Sequence, residues 1–216
     1  MNEYLTIFDF LEQSDEKSVR KIDNSDAIPF IMNIHYARRI PCIQYAFGLF
    51  KGEKIIGVVT YGQPPSPNVC IGLAGKENRD RVLELNRLVM LPSENEKNNA
   101  SYLVGRSLKM LPDGTYVVSY ADWGGWHHVG YVYQATNFLY TGMTKERTDL
   151  WSEGHSRHYR KGETNRKNRT SKHRYIYIYM RRRRKTGMQC ETLLNGKCFL
   201  TQKESLEDMT QMIRGE

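Results

Sequence analysis

YVVSYADWGGWHHVGYVYQATNFLYTGM, Tyr116 to Met143, is where the periodicity of the chain changes twice. Tyr116 to Tyr120 is an apolar run that predicts a strand, and Asp122 with Gly124-Gly125 breaks it. Val129 to Phe138 is then patterned as a helix, and Phe138 to Met143 as a further short strand. Strand, polar turn, helix, strand is an α/β signature. Ligand sites in such proteins gather at the carboxyl ends of strands, so Asp122, Trp123, Trp126, His127 and His128 stand where chemistry is usually done. The window Ser119 to Gly142 holds an acid, two histidines, two tryptophans and four tyrosines but no Lys or Arg.

Upstream, Asp23 to Pro29 reads as a capped helix start, with Ser25 or Asp26 as N-cap, and His35-Tyr36 close that helix. Cys42 to Phe50 and Lys54 to Gly62 are β-rich runs joined by Lys51-Gly52-Glu53, a hairpin signal. Gln63 to Asn68 contains three prolines and predicts a rigid loop rather than regular structure. Arg81 to Leu91 predicts a strand, and Ser101 to Leu111 a helix with Asn98 or Asn99 as N-cap. A basic insertion, 144–171, separates the strand ending at Met143 from another at His173 to Met180. The expected architecture is a single α/β (α+β) domain over 1–180, a mixed, mostly antiparallel sheet with helices on both faces, followed by a basic and polar extension, 181–216. Its element order is similar to that of the GNAT acyltransferases.

The formal net charge is +8, but Arg157 to Lys185 alone carries 13 Lys and Arg against one Glu, leaving the remainder at −4. Such concentration points to a polyanion, with nucleic acid the leading partner. A solvated tail, a membrane-surface patch or a nuclear address are the alternatives for Arg181 to Lys185. Tyr159, Tyr175, Tyr177 and Tyr179 interleave the charges as base-stacking groups would, but the period of two from Tyr175 to Tyr179 also suits one face of a strand. The four cysteines lack paired metal spacing and read as reduced thiols. No apolar run reaches the roughly 18 residues of a membrane span, and the first residues are acidic where a signal peptide is basic. The expectation is a soluble, cytoplasmic protein without a membrane partner.

Laid in order, His35-Tyr36 with Arg39 and Pro41, Gly62 with Pro65, and Glu84-Leu85-Asn86-Arg87-Leu88 form the first part of a pattern. Asn98 with Ser101, Asp122, His128-x-Gly130 running into Tyr133-Gln134-Ala135-Thr136-Asn137, and Ser171-Lys172-His173-Arg174-Tyr175 complete it. The pattern resembles the Mom family of phage DNA-modification proteins. That resemblance implies a GNAT-like fold that converts adenine in DNA to an N6-carbamoylmethyl derivative, shielding phage DNA from host restriction in the host cytoplasm.

Adenine N6 lies paired inside a duplex, so an enzyme must extrude the base or act on an unpaired strand. Trp123, Trp126, His127 and His128 are candidate stacking walls, and Gln134 or Asn137 could pair with the adenine edge. Plain packing is the alternative for the tryptophans. The N6 lone pair is delocalised into the ring, so a carboxylate that accepts an N6 proton would help, and Asp122 is the candidate. Its alternative is capping of the following helix. Tyr133 occupies the place of a phenol that protonates a leaving thiolate in GNAT-like enzymes; otherwise it is a core aromatic. Arg87 is a candidate bidentate clamp on phosphate or carboxylate, or else an ion pair with Glu84. Ser101, at a helix N-terminus, is a candidate pyrophosphate contact or ordinary cap.

His35 and Tyr36 are candidates to line the adenine pocket. DNA contact is assigned to Arg166, Lys167, Arg169, Lys172, Arg174, Arg181, Arg182, Arg183 and Arg184. The implied donor is acetyl-CoA or a related small acyl donor, but Ser93 to Ala100 contains no glycine and two acids, unlike a GNAT carrier loop. An iron-dependent version would require His35, Tyr36 and Asp122 or His128 to converge. An acetyltransferase acting on a protein or small molecule, and a non-catalytic DNA-binding protein, are the rival functions.

Overall fold

A computed structural model describes residues 17–94, 96–150 and 166–180. In chain order the elements are β1 Lys17–Lys21, α1 Asn24–Asn33, β2 Tyr45–Lys51, β3 Lys54–Gly62, α2 Pro67–Ala74, β4 Val82–Met90 and α3 Asn99–Leu108. There follow β5 Thr115–Asp122, α4 Trp123–Trp126, α5 Tyr131–Ala135, β6 Leu139–Met143, β7 Arg147–Leu150, β8 Arg166–Arg169 and β9 Lys172–Tyr179. The expected mixed, mostly antiparallel α/β architecture is present. Contacts divide the chain into two units, residues up to Gln63 with Leu85–Leu111, and Pro64–Glu84 with the residues from Pro112 onward.

In the first unit the strand order is β1-β2-β3-β4. β2 and β3 form the expected hairpin, turning at Gly52, whose φ of 60° suits glycine. A bulge after Leu49 shifts the register so that Leu49 opposes Gly57 while Phe50 opposes Ile55. Ile55 thereby joins Val58 on one face, where Ala46, Ala27 and Phe30 of α1 close a core. The other face carries Phe47 and Tyr61, whose rings meet edge-on at 6.0 Å. There the Tyr61 hydroxyl lies 2.7 Å from Ser107 Oγ of α3, so a buried polar pair ties helix to sheet. Helices therefore cover both faces. Strand β1 escaped the sequence reading because KSVRK is an edge strand with charges in place of an apolar alternation.

In the second unit the order is β4-β5-β9-β6, with β4–β5 parallel and the other two pairings antiparallel. One face packs Val82, Val118 and Ile176 against Cys70 and Leu73 of α2. That helix corrects the expectation of an irregular loop through Asn68. Pro67 occupies the first helical turn, where its missing N–H has no intrahelical partner to lose. The opposite face carries Ser119, Tyr175 and Tyr177, which settles the alternating tyrosines as a strand face, with Tyr175 fully buried.

The helix expected over Val129–Phe138 is confined to Tyr131–Ala135, because Gly130 and Asn137 adopt positive φ of 71° and 62° and stop it at both ends. The insertion 144–171 contains a two-stranded ribbon, β7–β8, that its high charge concealed. Arg181 to Arg184, and the extension 181–216, lie outside the described residues. Among the described residues no helix is long and apolar enough to cross a membrane.

Candidate functional site

Asp122 is the last residue of β5, directly opposite Lys172 in the β5–β9 register. Its Oδ1 accepts a 2.7 Å hydrogen bond from Thr170 Oγ1, and Lys172 Nζ stands 3.4 Å from Oδ2. The side chain thus faces the returning chain. The backbone N–H groups of Trp123 and Gly124 donate to Ser171 O at 3.3 and 3.4 Å, drawing the same two segments together. Gly124 is required there, since a Cβ would fall 2.4 Å from Thr170 Cβ. Trp123 meets His127 edge-on at 5.1 Å and the buried His173 at 5.4 Å. His127 and His128 are exposed.

Behind this corner sits a braced layer. Tyr175 donates to Val129 O at 2.5 Å, and Gln134 Nε2 donates to the same carbonyl at 2.7 Å and to Tyr175 Oη at 3.4 Å. Those two acceptors lie on one side of the Gln134 amide, which shares an N–H between them and so braces the loop in this conformation. Burial pushes the Tyr175 phenol up to about 12. Tyr133, half-buried, lies 5.3 Å from the Tyr175 ring and 5.4 Å from Phe138. Asn137 is exposed beyond them. His173 Nδ1 shares a 3.0 Å hydrogen bond with Tyr140 Oη, and burial lowers its pKa.

The first unit holds the second cluster of candidates. His35 and Tyr36 follow the end of α1 with rings stacked at 4.3 Å, and Tyr36 is 71% exposed. A backbone N–H can only donate, so the Ala37 N–H, 3.0 Å from His35 Nδ1, makes that nitrogen an acceptor and places the proton of the neutral ring on Nε2. Burial, then the Arg87 charge, hold His35 down to about 4. Arg87 reaches across to Arg39 O through Nε at 3.3 Å and Nη2 at 3.1 Å, and to Asn86 O through Nη1 at 2.6 Å. Asn86 donates to Cys42 O at 2.8 Å and accepts from Thr60 at 2.6 Å. The Asn86-Arg87 pair therefore straps down the chain that follows His35-Tyr36.

The His35 shift sets an acid sensitivity. The unfolded ring binds a proton near its usual value of about 6.5 whereas the folded ring binds one near 4, so the unfolded state holds more protons between them. Stability should therefore fall as pH drops from about 6.5 towards 4. Urea midpoints across this range should decline less steeply in His35→Asn than in the wild type. Equal slopes would remove His35 as a contributor.

Ser101 lies in the first turn of α3 and donates to Asn98 O at 3.0 Å, with Asn98 as N-cap at a φ of 70°. Asn99 donates to Glu94 O at 2.9 Å. Glu94 pairs with Lys54 at 2.9 Å, and that hydrogen bond, then the charges of Lys54, Lys51 and Lys17, lower its pKa. A turn closed by asparagines and acids does not fit the glycine-rich approach that a pyrophosphate carrier uses. Among the described residues no group of three or more His, Cys, Asp or Glu is placed to hold a metal ion.

Of the expected DNA contacts, Arg174 holds Thr141 through Nε at 2.8 Å and Nη2 at 3.1 Å, and Lys172 is engaged by Asp122. Arg166 is exposed, Arg169 is half-exposed, and Lys167 lies between them on β8. Thr170 and His173 were missed as members of the Asp122 corner. Only the β5–β9 register, which aligns Ala121 with His173 and Asp122 with Lys172, could have pointed to them.

The model of the Mom protein family matches residues 16–193. The chain belongs to the Mom family. The methylcarbamoylase mom of Escherichia phage Mu is 30% identical over 133 residues, 60% of this chain and 55% of that protein. The match thus spans about half the length of the phage protein. Among solved structures, an N-acetyltransferase from Staphylococcus aureus Mu50 is 16% identical, with 76% of this chain and 98% of that chain covered at a TM-score of 0.46. A Bacillus subtilis acetyltransferase in complex with CoA is 11% identical, with 76% and 100% covered at a TM-score of 0.46. The Mom match includes both clusters of candidate residues and the strands that carry them.

Proposed function

We propose that this Mom-family chain is a DNA-modifying transferase that places a carbamoylmethyl group on adenine N6 and so protects phage DNA from restriction. The observation that carries the reading is Asp122, an acid at a strand end with Trp123 beside it. Transfer forms a bond between N6 and a carbon of the incoming group while the bond from that carbon to the donor's leaving group breaks; N6 loses one proton, and the leaving group takes up one, from Tyr133 in this reading. Asp122 accepts the N6 proton as positive charge develops on the exocyclic amino nitrogen, with Thr170 and Lys172 keeping the carboxylate oriented. Trp123 offers a stacking face, and the exposed His127 and His128 continue the wall. Gln134 and Tyr175 hold the floor in place, and Tyr133 is the candidate acid.

No step is routed through a CoA-like carrier or iron. The donor is a small molecule whose transferable carbon is electrophilic. Nucleoside mass spectrometry on DNA from cells expressing the chain tests the reading: a modified deoxyadenosine carrying the mass of a carbamoylmethyl group is expected. Unmodified adenosine throughout, from soluble wild-type protein in cells that supply the donor, would sink it.

A further inference from the structure

We infer that the β7–β8 ribbon is a docking arm for duplex DNA, and that Thr170 transmits its seating to the Asp122–Trp123 corner. This rests on the functional reading above only for the identity of the polyanion. The ribbon is an antiparallel pair in which Arg147 stands opposite Arg169 and Thr148 opposite Asn168. Asp149 stands opposite Lys167, and the two strands together carry four Lys and Arg against that one acid; an isolated two-stranded ribbon has little stability of its own. A polyanion laid along it complements that excess of positive charge. The major groove of a duplex is wide enough to admit a two-stranded ribbon. Arg147, Arg166 and Asn168 are exposed for that contact.

Both strands end at the same corner. At the β7 side, the Thr144 N–H donates to Lys172 O at 2.8 Å and Thr144 Oγ1 accepts from the Lys172 N–H at 3.0 Å. At the β8 side, Thr170 donates to Asp122, and Ser171 O receives the N–H groups of Trp123 and Gly124. Thr170 is packed against Gly124 so closely that a Cβ on the glycine would overlap it. A displacement of the ribbon therefore reaches Asp122 and the Trp123 turn through Thr170, whose side chain touches both, alongside the backbone bonds of Ser171 and Lys172. Thr170 is a positioning residue, since its hydroxyl acts through the carboxylate.

The test uses the full chain, a duplex oligonucleotide and fluorescence. Arg147→Gln with Arg166→Gln and Arg169→Gln should weaken duplex binding at least about tenfold and flatten log K against log salt by roughly 2 to 3. Thr170→Val should bind with wild-type affinity and salt slope. In a background with Trp126→Phe and Trp151→Phe, saturating duplex should change Trp123 emission, and Thr170→Val should lose that change while Thr170→Ser keeps it. An unaltered salt slope in the ribbon variant overturns the arm, and a Trp123 response that survives Thr170→Val overturns the transmission. A wild type that gives the Trp123 response but no modified adenosine would defeat the functional reading and leave the arm standing.

Discussion

Asp122→Asn is expected to lower adenine modification by about 10²- to 10⁴-fold, the range for loss of a general base, while the protein remains folded. The substitution is close to isosteric, so Thr170 can still donate to the side-chain oxygen that replaces Oδ1. At the other position an amide N–H₂ now faces the Lys172 ammonium, 3.4 Å away in the wild type, and donor meets donor. The pair is partly exposed, at 34% and 21% for the two side chains, so its loss costs no more than about 1 kcal/mol of stability. Activity and stability should thus separate. Mass spectrometry of nucleosides gives the first, and thermal unfolding the second. Wild-type modification by Asp122→Asn would remove the carboxylate from the chemistry and leave it as a cross-strand brace.

That separation also explains what could be read from the sequence. Asp122 and Trp123 were legible because a strand ending in an acid before two glycines is a local signal, complete within ten residues. The β2–β3 hairpin was legible for the same reason. What escaped was non-local. Gln134 looks like a base reader in the sequence, and what the sequence does not show is that its amide also reaches Val129 O and Tyr175 Oη, the latter 41 residues away. Arg87 looks like an anion clamp in the sequence, which does not show that its Nε and Nη2 reach Arg39 O, 48 residues away. Polar side chains bond whatever the register brings to them, and register is fixed by the apolar alternation of other residues. The ribbon and β1 were hidden because charge replaces that alternation on exposed strands.

Gly62→Ala should be the most damaging single-methyl change in the first unit. Gly62 has no left-handed φ, so the requirement is for space: a Cβ would lie 1.7 Å from Cys42 O and 2.7 Å from the Cys42 carbonyl carbon. No rotamer change relieves an overlap with backbone, so the chain around Cys42 must lift. Lifting it breaks the 2.8 Å bond from Asn86 to Cys42 O and strains the 2.8 Å bond from the Gln44 N–H to Tyr61 O. Each such bond contributes about 1 kcal/mol net, and the lower entropy of an unfolded Ala chain returns about 0.4–1 kcal/mol. With residual crowding added, a loss of about 2–3 kcal/mol is expected. The consequence extends to function, because Arg39 lies on the same lifted stretch and its carbonyl anchors Arg87. Once Arg87 is released from beside His35 and the ring is less buried, the His35 pKa should rise from about 4 towards its ordinary value. NMR titration of the imidazole together with the urea midpoint reads both effects in one variant. A fully stable Gly62→Ala whose His35 still titrates near 4 would show that the Asn86-Arg87 strap does not control the His35-Tyr36 segment.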